Sequence, residues 1–439
     1  MAVSGDRVVE SRIEWIAAEG VTSPELRETW ARFEWWIDGR CVTQVEGPDG
    51  TLRRSVTVSL YPLAEWIAEN WWSLLYEVRA SGHDPSLWSW RNVGAQPWLH
   101  RHNVRAAGDG MPWPDLTVVP EGSTTRFWWR GDESPGLRRV SFVGQGQAVV
   151  ASEGAVRGLS MLVETVLGRL AEQGIKRTRL QEEWAALRST DHSEAAFCTA
   201  VARLGLDPYS VEEHVGQHVV RAAELLPVEL QDDFFNAISP QEIEVGGRWV
   251  GAATRTALRL AIDTARSLGE LRDVAGHPPV GSPAMPWSRG YAFADSLNEG
   301  LGRDPMLPFD LKPWVRTSTS STAPGGVQGL GVSAESGGCG LVIPRTPRPA
   351  ALFWSAKALG RALFGSHREQ FVLSRARSDD ERMAGAFAAE LLAPARGIAR
   401  YLEALGPFDD AAADAIAARY GVSPLLVRHQ HENRLQLAS

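Results

Sequence analysis

The sequence of 439 residues is poor in cysteine and contains no long apolar run. Its three cysteines, Cys41, Cys198 and Cys339, lie far apart and form no Cys-x-x-Cys pair. This spacing argues against a disulfide framework or a zinc knuckle and is typical of reduced thiols. No run of 18 apolar residues occurs, so the sequence predicts no membrane-spanning helix. The first residues lack the apolar core of a signal peptide, and we expect a cytoplasmic protein.

Two motifs with well-defined chemistry are also missing. The sequence contains neither the phosphate-binding loop G-x-x-x-x-G-K-[ST] nor the nucleophile motif G-x-S-x-G. Acidic residues outnumber basic ones by 53 to 45, which gives a formal net charge of -8. This balance argues against a protein that coats nucleic acid or an anionic membrane.

Tryptophan, by contrast, is abundant in the N-terminal third of the chain, with 13 of the 18 tryptophans before residue 130. Extended runs at 32–42 and 52–60 and helical spacing over 61–79 predict a Trp-rich β/α domain over residues 1–154. We expect its Trp pairs to build a core and its rim. An aromatic binding surface is the alternative.

The remainder of the chain has mainly helical spacing. It predicts a helical middle region over 155–275, a joint rich in breaker residues at 276–283 and a mostly helical region over 284–439. Within that last region we predict a short strand at 341–343 and a mobile Ser/Thr-rich segment at 317–326. Together the patterns predict an α+β protein.

Two helices of the C-terminal region are well delimited by the sequence. Apolar spacing predicts one helix over 348–364. The pair Ser378-x-x-Glu381 is a capping-box pattern that begins a second helix, and Pro394 ends it. We also expect the adjacent acids Asp232 and Asp233, like Glu182–Glu183, to lie on solvated helix faces.

The segment ERMAGAFAAELLAP (381–394) resembles the signature of the ImmA/IrrE family of zinc metallopeptidase-like proteins. The segments at 286–302 and 418–435 resemble the first and last helical pieces of that domain, so the resemblance covers about residues 284–439. It implies a zincin-like, mostly helical fold. In bacteria it also implies a role in stress response, mobile-element control or phage defence, often through a repressor partner.

The chain departs from this family on the helix that should bind the metal. Lys357, Ala358 and Arg361 stand where the family carries the first His, the catalytic Glu and the second His of His-Glu-x-x-His, and Glu381 stands at the third-ligand position. Protonated Lys and Arg offer no lone pair to a metal. The resemblance therefore implies a pseudo-metallopeptidase with neither catalytic residues nor a cofactor.

Glu381 has two alternative roles in this interpretation. We expect it to form an ion pair with Lys357 and Arg361, which lie one turn apart on one helix face. The alternative is that Glu381 is only the third residue of the capping box that begins at Ser378.

Two other functions compete with a non-catalytic protein. His214 and His218 are spaced to reach one zinc ion in a peptidase with a relocated site, although the sequence shows no third ligand. The C-terminal helices have the spacing of a helix-turn-helix that would expose Arg428 and His429 to DNA, but their balanced charge argues against this. The sequence therefore favours a cytoplasmic binding or regulatory protein with a protein partner and no membrane partner.

Overall fold

The computed structural model describes residues 8–47, 49–78, 85–91, 96–132, 140–276, 285–334, 337–364 and 370–435. The protein is a mixed α+β chain, which confirms the predicted fold class. It folds into two compact units, Met1–Glu212 (unit 1) and Glu213–Ser439 (unit 2). Across the described ranges, no helix combines the length and the apolar composition needed to span a bilayer.

Unit 1 combines short antiparallel sheets with helices. Its strands are β1 (Val9–Trp15), β2 (Trp30–Ile37), β3 (Arg40–Cys41), β4 (Val45–Glu46), β5 (Leu52–Arg53), β6 (Val56–Ser59), β7 (Asp115–Glu121), β8 (Thr124–Arg130), β9 (Ser141–Phe142) and β10 (Gly146–Ala151). Its helices are α1 (Pro24–Glu28), α2 (Tyr61–Glu69), α3 (Trp71–Tyr76), α4 (Pro97–His102), α5 (Ser152–Glu172), α6 (Arg179–Ser189) and α7 (His192–Arg203). Strand β2 pairs with β1, β3 and β6, while β8 lies between β7 and β10.

The Trp pairs of unit 1 divide between its core and its rim, as predicted. Successive residues of a strand point to opposite faces. Trp35 in β2 and Trp129 in β8 are therefore buried in one hydrophobic core, while their neighbours Trp36 and Trp128 are partly exposed. This alternation explains why one Trp of each of these pairs lies in the core and the other at its rim.

The single helix predicted over 61–79 is instead two helices, α2 and α3, and residue 79 lies outside the described residues. The break falls at Asn70, whose side-chain Nδ2 donates to the carbonyl oxygen of Trp66 at 2.8 Å. Asparagine interrupts helices in this way because its amide competes with backbone groups for hydrogen bonds.

Unit 2 contains a four-stranded sheet and most of the long helices. Its strands are β11 (Val315–Ser320), β12 (Gly329–Ser333), β13 (Cys339–Pro344) and β14 (Gln370–Leu373). Its helices are α8 (Glu213–Leu225), α9 (Val228–Ala237), α10 (Ile243–Ile262), α11 (Leu268–Ala275), α12 (Pro286–Gly300), α13 (Arg348–Phe364), α14 (Asp379–Leu392), α15 (Ala395–Leu405), α16 (Asp410–Tyr420) and α17 (Pro424–Gln430), followed by a π turn at His431–Leu435. The predicted middle region is divided, since α5–α7 lie in unit 1 and α8–α11 in unit 2.

The sheet of unit 2 separates α10 from α13. Its strand order is β11-β13-β12-β14, with β11 parallel to β13 and the other pairs antiparallel. Gly340 of β13 faces the backbone of α10, whereas Leu341 and Ile343 lie in a core cluster with residues of α13. Helix α13 is therefore packed between this sheet and α14.

The prediction of a mobile Ser/Thr-rich segment over 317–326 is wrong for its first part, because residues 317–320 belong to β11. All six residues of β11 pair with β13, from Val315 opposite Cys339 to Ser320 opposite Pro344. The indole Nε1 of Trp249 also donates to the Ser320 hydroxyl at 3.1 Å. Composition alone suggested mobility, but strand pairing satisfies the backbone of a polar segment as well as that of an apolar one.

We expect replacement of Gly340 by alanine to destabilise unit 2 by about 1–3 kcal/mol, because the new methyl group would collide with the carbonyl oxygen of Ala257 in α10. The matched control is Gly247→Ala in α10, where no atom lies within 4 Å of the added carbon. That change is expected to stabilise the helix by up to about 1 kcal/mol. Urea unfolding of both variants tests the pair, and equal stabilities would contradict the close packing.

Candidate functional site

Helices α13 and α14 bring Lys357, Arg361 and Glu381 together. Lys357 and Arg361 are four residues apart on α13, so both side chains leave the same helix face. Helix α14 begins at an N-cap, where the Ser378 hydroxyl accepts a hydrogen bond from the Glu381 backbone N–H at 3.4 Å. All three charged side chains are buried, with at most 7% of each exposed.

Three acceptors contact the buried ammonium group of Lys357. Its ammonium group forms an ion pair with Glu381 Oε2 and donates to Gln328 Oε1 at 2.9 Å and to the Ser374 carbonyl oxygen at 2.7 Å. Glu381 Oε1 accepts from the Ser374 backbone N–H at 3.3 Å. The predicted ion pair is present, whereas only half of the predicted capping box forms: Ser378 caps α14, but the Glu381 side chain binds Lys357 and the Ser374 N–H in place of the Ser378 N–H.

Arg361 is held mainly by a residue of another helix. Its Nη2 donates to Asp233 Oδ2 of α9 at 2.6 Å and lies 3.4 Å from Asp380 Oδ2, while Nη1 lies 3.8 Å from Glu381 Oε1. Burial lowers the pKa of Arg361, but the three carboxylates outweigh that effect and raise its pKa overall. The guanidinium therefore stays charged inside the protein.

The prediction that Asp233 lies on a solvated face is wrong, although its neighbour Asp232 is exposed. Asp233 is buried and also accepts from the Val372 backbone N–H of β14 at 3.3 Å. Adjacent helix residues point in directions about 100° apart, so the two acids have different environments. The apolar spacing of Leu230, Phe234 and Ala237 was the available signal that this face of α9 is buried.

The residues at the positions of the metal motif do not fit a metal ion. Lys357 and Arg361 present cationic donors without lone pairs, and Ala358 lies fully buried in the core without any group that could act as a base. Two fixed positive charges would also repel a divalent cation. What the site provides instead is an ion network that joins α9, α13 and α14, consisting of the buried residues Lys357, Arg361, Glu381 and Asp233 with the partly exposed Asp380 at its edge.

The candidate zinc ligands His214 and His218 lie together on α8. Their ring centroids are 6.2 Å apart, and His218 Nε2 lies 3.9 Å from Glu244 Oε2. Glu244 is exposed, and the Arg248 side chain lowers its pKa by donating a hydrogen bond to it. Within the described residues, no group of three His, Cys, Asp or Glu side chains is placed to hold a metal.

The candidate DNA-contacting residues are engaged within the protein. Arg428 donates to Asp410 Oδ1 from Nε at 3.2 Å and from Nη2 at 2.9 Å. The ring of His429 is hydrogen-bonded to Asn433 on the following turn. Because Asp410 sits beside Arg428, a phosphate group would meet a paired charge at this position.

Comparisons with known proteins assign no family to this chain. No family model matches it, and no curated protein does. The resemblance of residues 284–439 to the ImmA/IrrE family therefore stays a prediction, and the functional conclusion depends on the chemistry of the residues themselves.

Proposed function

We propose that this protein is a non-catalytic binding or regulatory protein of the cytoplasm, and that the scaffold around α13 and α14 supports a protein partner. The observation that carries the proposal is the state of Lys357 and Arg361, which are buried and neutralised by carboxylates. A structure built to catalyse at this position would need an accessible, reactive group there.

Hydrolysis by a zinc enzyme requires neutral ligands, a coordination position open to water and a general base. The ion network does not provide this arrangement, because Lys357 pairs with Glu381, Arg361 pairs with Asp233, and neither cation can act as a metal ligand. We infer that the network serves to fix the relative positions of α9, α13 and α14. The surface of unit 2 is then available to a partner.

The biological setting of this proposal comes from the ImmA/IrrE resemblance alone. That resemblance implies a role in stress response, mobile-element control or phage defence, with a repressor-like protein as the partner. No observation favours the relocated peptidase at His214 and His218 or DNA binding through Arg428 and His429, so neither is proposed as a second function.

The test is the metal content and peptidase activity of the purified full chain. We expect much less than about one zinc per chain after purification in zinc-containing buffer, no hydrolysis of casein, and a melting temperature that does not change with a chelator. Stoichiometric zinc with activity that is lost in Glu381→Gln would overturn the proposal. Zinc and activity lost in His214→Ala would instead establish the relocated peptidase.

A further inference from the structure

The two edges of the sheet in unit 2 differ in what covers them. At the β14 edge, the Val372 backbone N–H donates to Asp233 of α9 at 3.3 Å, so a helix satisfies a group that points out of the sheet. At the opposite edge, β11 pairs with β13 alone within the described ranges. Ser374, which contacts Lys357, follows β14, so the β11 edge lies across the sheet from the ion network.

Alternate residues of β11 direct their backbone groups away from the sheet. The Trp314 carbonyl oxygen accepts from the Cys339 N–H of β13 at 2.7 Å. Because the backbone groups of successive strand residues point to opposite sides, the even-numbered residues of β11 also face β13, whereas Thr317 and Thr319 face outward. In the part of the chain that the structure describes, no backbone group pairs with these two threonines. Such a row of unpaired groups is a template for another strand.

The side chains of β11 leave this edge accessible. Thr317 and Thr319 are exposed, and the pairing with β13 runs through the whole strand without a bulge. The only charged residue of β11, Arg316, donates to the Asp263 carbonyl oxygen of α10 at 2.9 Å. Natural sheet edges are commonly protected by proline, lysine or a bulge, and β11 contains none of these. Threonine is also well suited to strand pairing.

Exposed cations flank both ends of β11. Over residues 311–350 the sequence has four basic residues and a single acidic one, Glu335, which lies outside the described residues. Two of the cations are at the beginning of β11, and two follow the end of β13, which pairs with the end of β11. The four are Lys312, Arg316, Arg345 and Arg348, and all of them are exposed.

These cations are not neutralised by neighbouring carboxylates. Among the residues that the structure describes, none of the four forms an ion pair. Arg316 donates to a neutral carbonyl oxygen, and Asp310 Oδ1 accepts from the backbone N–H of Lys312 at 3.1 Å. An extended segment with acidic side chains would therefore meet unpaired positive charge at both ends of this edge.

We propose that the outer edge of β11 is the docking site for an extended, acidic segment of the protein partner, which adds to the sheet as a fifth strand. Hydrogen bonds to the backbone of Thr317 and Thr319 supply the affinity, and the flanking cations select acidic segments. This inference rests on the proposed function, since it names the surface and the chemistry by which the partner binds.

The two proposals can nevertheless fail separately. Zinc and peptidase activity in the purified chain would overturn the non-catalytic function without changing the edge of β11. Failure of an acidic peptide to bind would remove the docking site and leave the result for zinc as it stands.

Fluorescence anisotropy of the full chain tests the site with a labelled synthetic peptide, Glu-Glu-Thr-Val-Thr-Val-Thr-Glu-Glu. At low ionic strength we expect a dissociation constant of about 100 μM or lower, which rises with salt. Replacement of the four Glu by Lys is expected to weaken binding at least about tenfold. N-methylation of two adjacent central residues blocks backbone pairing on both edges of the peptide, and it is expected to weaken binding by a similar factor.

Substitutions at Thr319 locate the binding site on the chain. Thr319→Pro removes an outward N–H but no hydrogen bond to β13, and it is expected to weaken binding at least about tenfold. The matched control, Thr319→Val, keeps the N–H and should bind within about twofold of the wild type. Arg345→Gln together with Arg348→Gln is expected to weaken binding about threefold and to reduce its salt dependence.

The peptides keep the proposal testable even if Thr319→Pro folds poorly. Equal affinity of the parent and N-methylated peptides for the wild type would show attraction by charge alone and overturn strand addition. An unchanged affinity in folded Thr319→Pro, or no binding at about 1 mM chain, would also overturn the site. A dimer of the wild type that dissociates in Thr319→Pro, measured by sedimentation, would assign the edge to a second copy of the chain instead.

Discussion

Replacement of Asp233 by alanine is expected to lower the free energy of unfolding of unit 2 by about 3–5 kcal/mol. The change removes the carboxylate that bonds Arg361 at 2.6 Å and leaves a buried guanidinium with Asp380 at 3.4 Å and Glu381 at 3.8 Å as its remaining counterions. It also deprives the Val372 backbone N–H of its acceptor. Loss of the nearest counterion of a buried charge is among the few single changes with an effect this large.

Asp232→Ala is the matched control, because it removes the same group from the neighbouring, exposed position. Its effect is expected to stay within about 0.5 kcal/mol, as for most surface substitutions. Denaturant unfolding of the full chain, followed by hydrogen exchange in α9, distinguishes the two. Equal effects of the two substitutions would show that the pairing of Asp233 with Arg361 does not stabilise the fold.

The double variant Lys357→His, Arg361→His is expected to bind zinc with a dissociation constant of about 1 μM or lower, whereas the wild type is not. Two neutral imidazoles one turn apart would then face Glu381, which gives the His₂Glu ligand set of many zinc sites. Removal of both cations would also leave the carboxylates of Asp233 and Glu381 without counterions, and this favours a divalent ion in their place.

Titration calorimetry and zinc-dependent melting measure this gain. At a zinc concentration a hundred times the dissociation constant, the stabilisation should approach about 2.7 kcal/mol. The matched control is Lys357→Gln, Arg361→Gln, which removes the same charges but supplies no imidazole. Zinc binding of equal strength in both variants would show that the acidic residues alone attract the ion, and it would remove the support for a metal-site geometry on α13.

Much of the local structure around the ion network was predictable from sequence. Helix 348–364 was predicted with its observed ends, and the Ser378 cap correctly placed the start of α14. Both predictions depend on interactions within one short stretch of chain, namely apolar spacing and N-terminal capping. The contact of Glu381 with Lys357 followed only from the family resemblance, because nothing local indicates that α13 and α14 are neighbours.

The sequence by itself determined the α+β class, the division of tryptophans between core and rim, and the presence of two cations on one face of α13. It did not reveal that Asp233, Gln328 and Ser374 would complete the surroundings of those cations, because these residues come from a different helix and from segments distant along the chain. Whether a charged residue is solvated or buried depends on what packs against it, and only the tertiary structure decides that.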